Sequence, residues 1–218
     1  MKDEQKRVIY WGVGILIVIL AVIGLGQLSS GNSASTASKK SVDFEIKKDE
    51  WILGPKNAST TIVEYFDMQC PACKSFHPAM KKLHQEFPEK LRIVFRHFPL
   101  SQIHQNAMIA AQALEAAGLQ GKFFEMQDKL FENQRSWSKM KNPKSKFVEY
   151  AKKIGLNQKK FESDLTSQKV KNKVKKDLSS ARKYNINSTP TLFLNGTEIR
   201  PRSYKSLRSS VESQINSQ

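Results

Sequence analysis

The sequence predicts an α/β domain in which a β-α-β unit and a later β-hairpin share one sheet, with a run of helices between them. First, the strand-like run Thr60–Phe66 opens directly onto Cys70-Pro71-Ala72-Cys73 and a helix-capable stretch. Second, from Ile103 to Tyr184 the apolar spacing is helical. Third, Asn195-Gly196 lies between Thr191–Leu194 and Thr197–Ile199, the strongest short hairpin signal in the chain.

Taken in order, residues 1–7 hold Lys2, Lys6 and Arg7 against Asp3 and Glu4. Val8–Gly26 follows as 19 uncharged residues dominated by Ile, Leu and Val, with Tyr10 and Trp11 at its start. As a helix it would span about 28 Å, close to a bilayer core. The next cations are Lys39 and Lys40, so the positive-inside rule keeps residues 1–7 cytoplasmic and sends the remainder across. We expect residues 8–28 to be an uncleaved, single-pass anchor in the cytoplasmic membrane. A signal peptide cleaved within Ser33–Ser38 is the alternative, although its apolar region is normally shorter, about 7–15 residues. Residues 29–41 (SSGNSASTASKKS) read as a flexible tether. Residues 42–218 suffice for one packed domain.

Within that domain Val42–Ile46 alternates and is expected to be an edge strand. Thr60–Phe66 is a buried strand, apolar in its centre except for Glu64. Cys70–Phe87 is a helix with Phe76, Met80, Leu83, His84 and Phe87 on one stripe, and with Pro78 inside it. Leu91–Phe98 (LRIVFRHF) is a second strand. Helices are expected at Ile103–Ala117 and Lys122–Phe131, then in shorter pieces to Asp164. Val170, Val174, Leu178 and Ala181 line one face of a Lys-studded helix ending near Tyr184. Tyr204–Ile215 closes the chain as a helix. This order is a thioredoxin fold interrupted by a helical insertion at about residues 103–168.

The two cysteines are the only ones in the chain, and their setting points to redox chemistry. A strand opening onto Cys-x-x-Cys places the first sulfur at a helix N-terminus, where unpaired N–H groups and the helix dipole stabilise a thiolate. A thiolate beside a second thiol is the core of disulfide exchange. A structural disulfide across two residues would stabilise weakly, because so short a loop removes little unfolded-state entropy. Pro71 suits the first helical position, since it lacks an N–H. A metal site drawing on Cys70, Cys73 and His77 remains open, but it lacks a fourth ligand. His77, His84, His97 and His104 have no evident partner in the sequence and read as structural. Asp67 and Lys74 flank the motif and are either tuning charges or ordinary solvated ones.

The chain resembles the membrane-anchored branch of the DsbA-like thiol oxidoreductases. The resemblance is carried by Trp51–Ala58 (WILGPKNA), Ile62–Lys74 (IVEYFDMQCPACK), Phe95–Leu100 (FRHFPL), Gly121–Phe131 (GKFFEMQDKLF) and Ser188–Gly196 (STPTLFLNG), and covers about residues 42 to 216. It implies a redox-active Cys70–Cys73 disulfide in which Cys70 bonds the client and Cys73 resolves. It implies that Glu64 relays protons to the buried second cysteine, and that Pro190 is a cis-proline facing the sulfurs. Thr189, Pro190, Pro71 and Ala72 would contact an extended client segment. The family commonly has His where this chain has Ala72, so weaker oxidising power than the strongest members is expected. No cofactor is implied. The implied partners are unfolded, cysteine-containing secreted proteins and a quinone-coupled membrane reoxidase, DsbB-like or vitamin K epoxide reductase-like. A monomer is expected, because no dimerisation domain precedes the fold.

The net charge is +16, concentrated between Lys139 and Asn185, where 15 Lys or Arg face four acids. Attraction to an anionic lipid surface or cell-wall polymer is one reading of this, and solvated helix faces the other. Nucleic-acid binding is set aside, because an anchored domain outside the cell has no access to it and no recognition motif is present. Besides an oxidase, the sequence leaves open a reductase or isomerase of the same fold, a metallochaperone, and a surface binder acting through the basic face.

Overall fold

The computed structural model describes residues 41–217. The expected anchor, and the tether up to residue 40, lie outside the described residues. Among the described residues no helix is long and apolar enough to cross a membrane.

The sheet has five strands in the order β1-β3-β2-β4-β5. These are β1 (Trp51–Leu53), β2 (Thr60–Phe66), β3 (Leu91–His97), β4 (Thr191–Leu194) and β5 (Thr197–Ile199). The central strand β2 runs parallel to β3 and antiparallel to β4, as expected for a β-α-β unit joined to a hairpin. Its side chains alternate between two cores. Ile62 and Phe66 enter the larger core with Ile93, Phe95 and the insertion helices, while Val63 and Tyr65 pack with Val94 and Phe193 on the other face. Strand periodicity therefore puts Glu64 on the Ile62 and Phe66 face.

Helix α1 (Pro71–Glu86) connects β2 to β3 and buries Cys73, Met80 and Leu83, with Phe76 and Phe87 partly covered, which is the predicted stripe. It continues through Pro78. Burying Met80 and Leu83 contributes about 2 kcal/mol each. The insertion supplies α2 (Ala107–Gly118), α3 (Phe123–Glu132), α4 (Gln134–Trp137), α5 (Lys144–Lys153) and α6 (Gln158–Leu165). Helix α7 (Gln168–Lys183) returns the chain to the sheet, and α8 (Tyr204–Asn216) closes it with a Ser203–Ser206 capping box. The hairpin between β4 and β5 turns through Asn195 (φ 43°) and Gly196 (φ 83°), as an Asn-Gly turn requires.

Two expectations are corrected. Val42–Ile46 is not a strand; it is held by a Ser41–Thr197 bridge, by Val42 N–H donating to Gly196 O at 2.8 Å, and by Phe44 against Tyr184 and Phe193. The edge strand is Trp51–Leu53, antiparallel to β3. Its anchor is Trp51, which stacks on Phe123 with centroids 4.5 Å apart, donates Nε1 to Glu115 at 2.8 Å and lies over Gly118, where a Cβ would collide with it. The helix expected from Ile103 begins at Ala107, because Leu100 to His104 form turns instead.

Candidate active site

The chain leaves β2 at Phe66 and makes a short turn before α1. Gln69 N–H donates to Asp67 Oδ1 at 2.7 Å, and Cys70 N–H donates to Asp67 O at 3.1 Å. This folds residues 67–70 so that Cys70 (φ −69°, ψ 122°) becomes the N-cap and Pro71 the first helical residue. The Cys70 sulfur is therefore beside the unpaired N–H groups of the helix start. Across from it lies the Thr189–Pro190 peptide, which is cis, with Cys70 Sγ donating to Thr189 O at 3.5 Å.

The two thiols are in opposite electrostatic situations. Cys70 is held down to about 5, first by the hydrogen bond from the Cys73 thiol, then by the Thr189 side chain and the N–H groups of Cys73 and Ala72, against an opposing burial effect. Among the described residues the buried Thr189 hydroxyl has no other hydrogen-bond partner, which leaves it to donate to the Cys70 thiolate. Cys73 is fully buried, and burial pushes its thiol well above the ordinary range, reinforced by Cys70 and Glu64. Its sulfur accepts from Asp67 N–H at 3.5 Å. Glu64 is buried in β2, and desolvation raises its carboxyl to about 8, so near neutral pH it holds a proton.

Cys70, Cys73, Thr189 and Pro190 thus meet at one place, with Pro71 and Ala72 exposed at its rim. Glu64 acts electrostatically on Cys73 from the adjacent strand. His77 does not join them; its Nε2 is 2.6 Å from Asp128 Oδ1, and its ring packs on Phe131. Among the described residues, three ligand-type groups converge only at His97, Glu115 and Asp177. There the Lys173 ammonium contacts both Asp177 oxygens at 2.8 Å and already supplies the positive charge.

The histidines are corrected as well, since three have carboxylate partners. His77 pairs with Asp128, His97 with Glu115 at 2.8 Å, and His104 with Asp67 at 2.7 Å. Asp67 is no solvated charge. It is buried, and its Oδ2 also accepts Leu100 N–H at 2.9 Å, which ties the loop after β3 to the redox turn. Lys74 reaches away from the sulfurs, to Glu132 O at 3.3 Å.

Sequence reasoning missed a set of amides from the insertion. Asn106 Nδ2 donates to Trp137, Ser138 and Met140 carbonyls, and Gln134 Nε2 donates to Met68 and Cys70 carbonyls. The Gln69 side chain bonds Ser138 O and Asn106 N–H. No local pattern marks these residues.

The family model described as Thioredoxin matches residues 47–213. The fold is similar to that of oxidised BdbD from Bacillus subtilis, with a TM-score of 0.72 and 24% identity over 82% of this chain and 98% of that one. It is also similar to α-DsbA1 from Wolbachia pipientis, with a TM-score of 0.70 and 21% identity over 79% and 94% of the two chains. Among curated relatives, Na⁺/H⁺ antiporter NhaA 1 of Salinispora arenicola is 35% identical over 66% of this chain and 21% of its own length. Na⁺/H⁺ antiporter NhaA of Herminiimonas arsenicoxydans is 32% identical over 86% of this chain and 30% of its own. The chain spans less than a third of the length of either.

Proposed function

The chain belongs to the thioredoxin family and has the DsbA-like fold of thiol–disulfide oxidoreductases, and from that premise we propose that it is an extracytoplasmic oxidase that introduces disulfides into secreted or membrane proteins. One observation carries the reading: Cys70 is held down to about 5 at a helix N-terminus while Cys73 is pushed up. A low thiol pKa stabilises the reduced pair, and a protein whose reduced form is stabilised takes electrons from its clients.

The cycle then balances as follows. A client thiolate attacks Cys70 Sγ of the oxidised pair; the Cys70–Cys73 bond breaks, and Cys73 leaves with the electron pair and takes a proton from Glu64. A second client thiolate attacks the client sulfur of the mixed disulfide, forming the client disulfide and releasing Cys70 as its favoured thiolate. Two electrons pass from client to enzyme, and a quinone-coupled membrane partner, DsbB-like or vitamin K epoxide reductase-like, removes them. Thr189 and Pro190 hold the extended client opposite the sulfurs. The segment 8–28 anchors the domain, and the membrane proteins named among its relatives support that setting; we propose no ion transport. A reductase would use the same groups with the electron flow reversed, and an isomerase would use them with no net electron flow.

Trapping tests the roles. Cys73→Ser should accumulate mixed disulfides with client proteins on non-reducing gels, collapsing on thiol treatment, and Cys70→Ser should accumulate none. Equal trapping by both variants would contradict the assignment.

A further inference from the structure

Gln134 is the first residue of the short helix α4, 64 residues along the chain from Cys70, and its side chain is buried at 5% exposure. Its amide carries two N–H groups, and both are used on the redox turn: Nε2 donates to Met68 O at 2.8 Å and to Cys70 O at 3.0 Å. The carbonyls so held flank Gln69, whose own side chain returns the tie to Ser138 O at 2.9 Å and to Asn106 N–H at 2.7 Å. Turn and insertion are thus stitched in both directions.

The Cys70 carbonyl is where α1 begins, since it also accepts Lys74 N–H at 3.1 Å. Its direction sets the first helical turn, and with it the aim of the Ala72 and Cys73 N–H groups at the sulfur. A carbonyl oxygen has lone pairs for both donors. A glutamine amide is costly to bury unless its N–H groups find acceptors. Here both acceptors lie on the turn that decides the nucleophile's surroundings.

We propose that Gln134 is a positioning residue for thiol–disulfide exchange: from the helical insertion, its amide clamps the Met68 and Cys70 carbonyls and so fixes the Cys70 sulfur over the N-terminus of α1. This rests on the exchange reading above. Without the clamp, residues 68–70 gain freedom, the N–H groups converge less well on the sulfur, and the reduced pair loses part of its advantage.

The test compares the full chain with Gln134→Met, Gln134→Glu and Gln127→Met. Methionine keeps the shape and removes both donors, and Gln127 is a buried glutamine of α3 outside this clamp. Two readouts are taken: thiolate absorbance against pH, and equilibrium with glutathione at pH 7. Gln134→Met should raise the Cys70 midpoint by about one pH unit and shift the equilibrium about ten-fold towards the disulfide form of the protein. Gln134→Glu should shift both at least as far, because a carboxylate cannot donate to two carbonyls; it carries the test alone if the Met variant does not fold by circular dichroism. Gln127→Met should leave both at the wild-type value. Unshifted Gln134 variants, or an equal shift from Gln127→Met, would overturn the proposal. A wild-type protein that does not exchange with glutathione at all would instead sink the oxidoreductase reading, whatever the variants do.

Discussion

Replacing Glu64 by Gln should change stability by an amount that depends on pH, and the slope follows from burial. In the unfolded chain Glu64 ionises near 4.5; in the fold desolvation raises it to about 8. Between those values the folded state binds the extra proton, so stability is lost as pH rises from 4.5 towards 8. A glutamine at this position does not titrate. Relative to the Glu64→Gln variant, the wild-type penalty is therefore about 1 kcal/mol at pH 5, about 3 at pH 7 and about 5 at pH 9. A buried amide short of partners carries its own cost of about 1–3 kcal/mol, but that offset is the same at every pH. Urea unfolding of the reduced protein at pH 5, 7 and 9 reads the difference, which should grow by about 4 kcal/mol in favour of Glu64→Gln across the series. A flat difference would refute the placement of an unpaired carboxyl beside Cys73. The same variant should slow release of Cys73 about a hundred-fold, since it removes the proton donor.

The Cys70 thiol should titrate near 5 by thiolate absorbance on the reduced wild-type protein, where Cys73 stays protonated; a midpoint near that of a free thiol, about 8.5, would remove the basis for oxidation. The sign is set by the lowered value: thiolate stabilisation of the reduced fold is complete above the unfolded value near 9, declines as pH falls from there and is lost by about 5, so oxidising power should fade across that range and be gone below it. Asp67→Ala should destabilise the domain by about 3 kcal/mol, because Gln69 N–H, Leu100 N–H and His104 lose a buried acceptor. Thermal melts at fixed pH check this, and a change under about 0.5 kcal/mol would contradict it.

The parts legible in the sequence were those encoded over short distances. The Thr60–Phe66 strand, the Cys-x-x-Cys helix start and the Asn195-Gly196 turn each declare themselves within ten residues. Glu64 stood out because a carboxyl in an apolar strand must neutralise or pair. Strand β1 was missed because Trp51–Leu53 is too short to show a period, and its stability comes from Trp51 meeting Phe123, Glu115 and Gly118, all in the insertion. Val42–Ile46 has the better alternation, but the segment reaches β5 only at the isolated Ser41–Thr197 bridge. The carboxylate partners of the histidines, and the amides that hold the redox turn, sit between 18 and 69 residues away in sequence, where no spacing rule reaches. Recognition of the cis Thr189–Pro190 bond came from the family resemblance, because an X-Pro bond carries no isomer label of its own.

The reduction potential of the Cys70–Cys73 pair, measured against glutathione buffers at pH 7, tests the central claim most directly. A thiol near 5 rather than near 7, as in thioredoxin, stabilises the reduced form by about 2 kcal/mol at pH 7, which corresponds to roughly 45 mV. From thioredoxin's value of about −270 mV the prediction is therefore about −225 mV or less negative. A potential at or below about −270 mV would contradict the oxidase and assign the same sulfurs to a reductase.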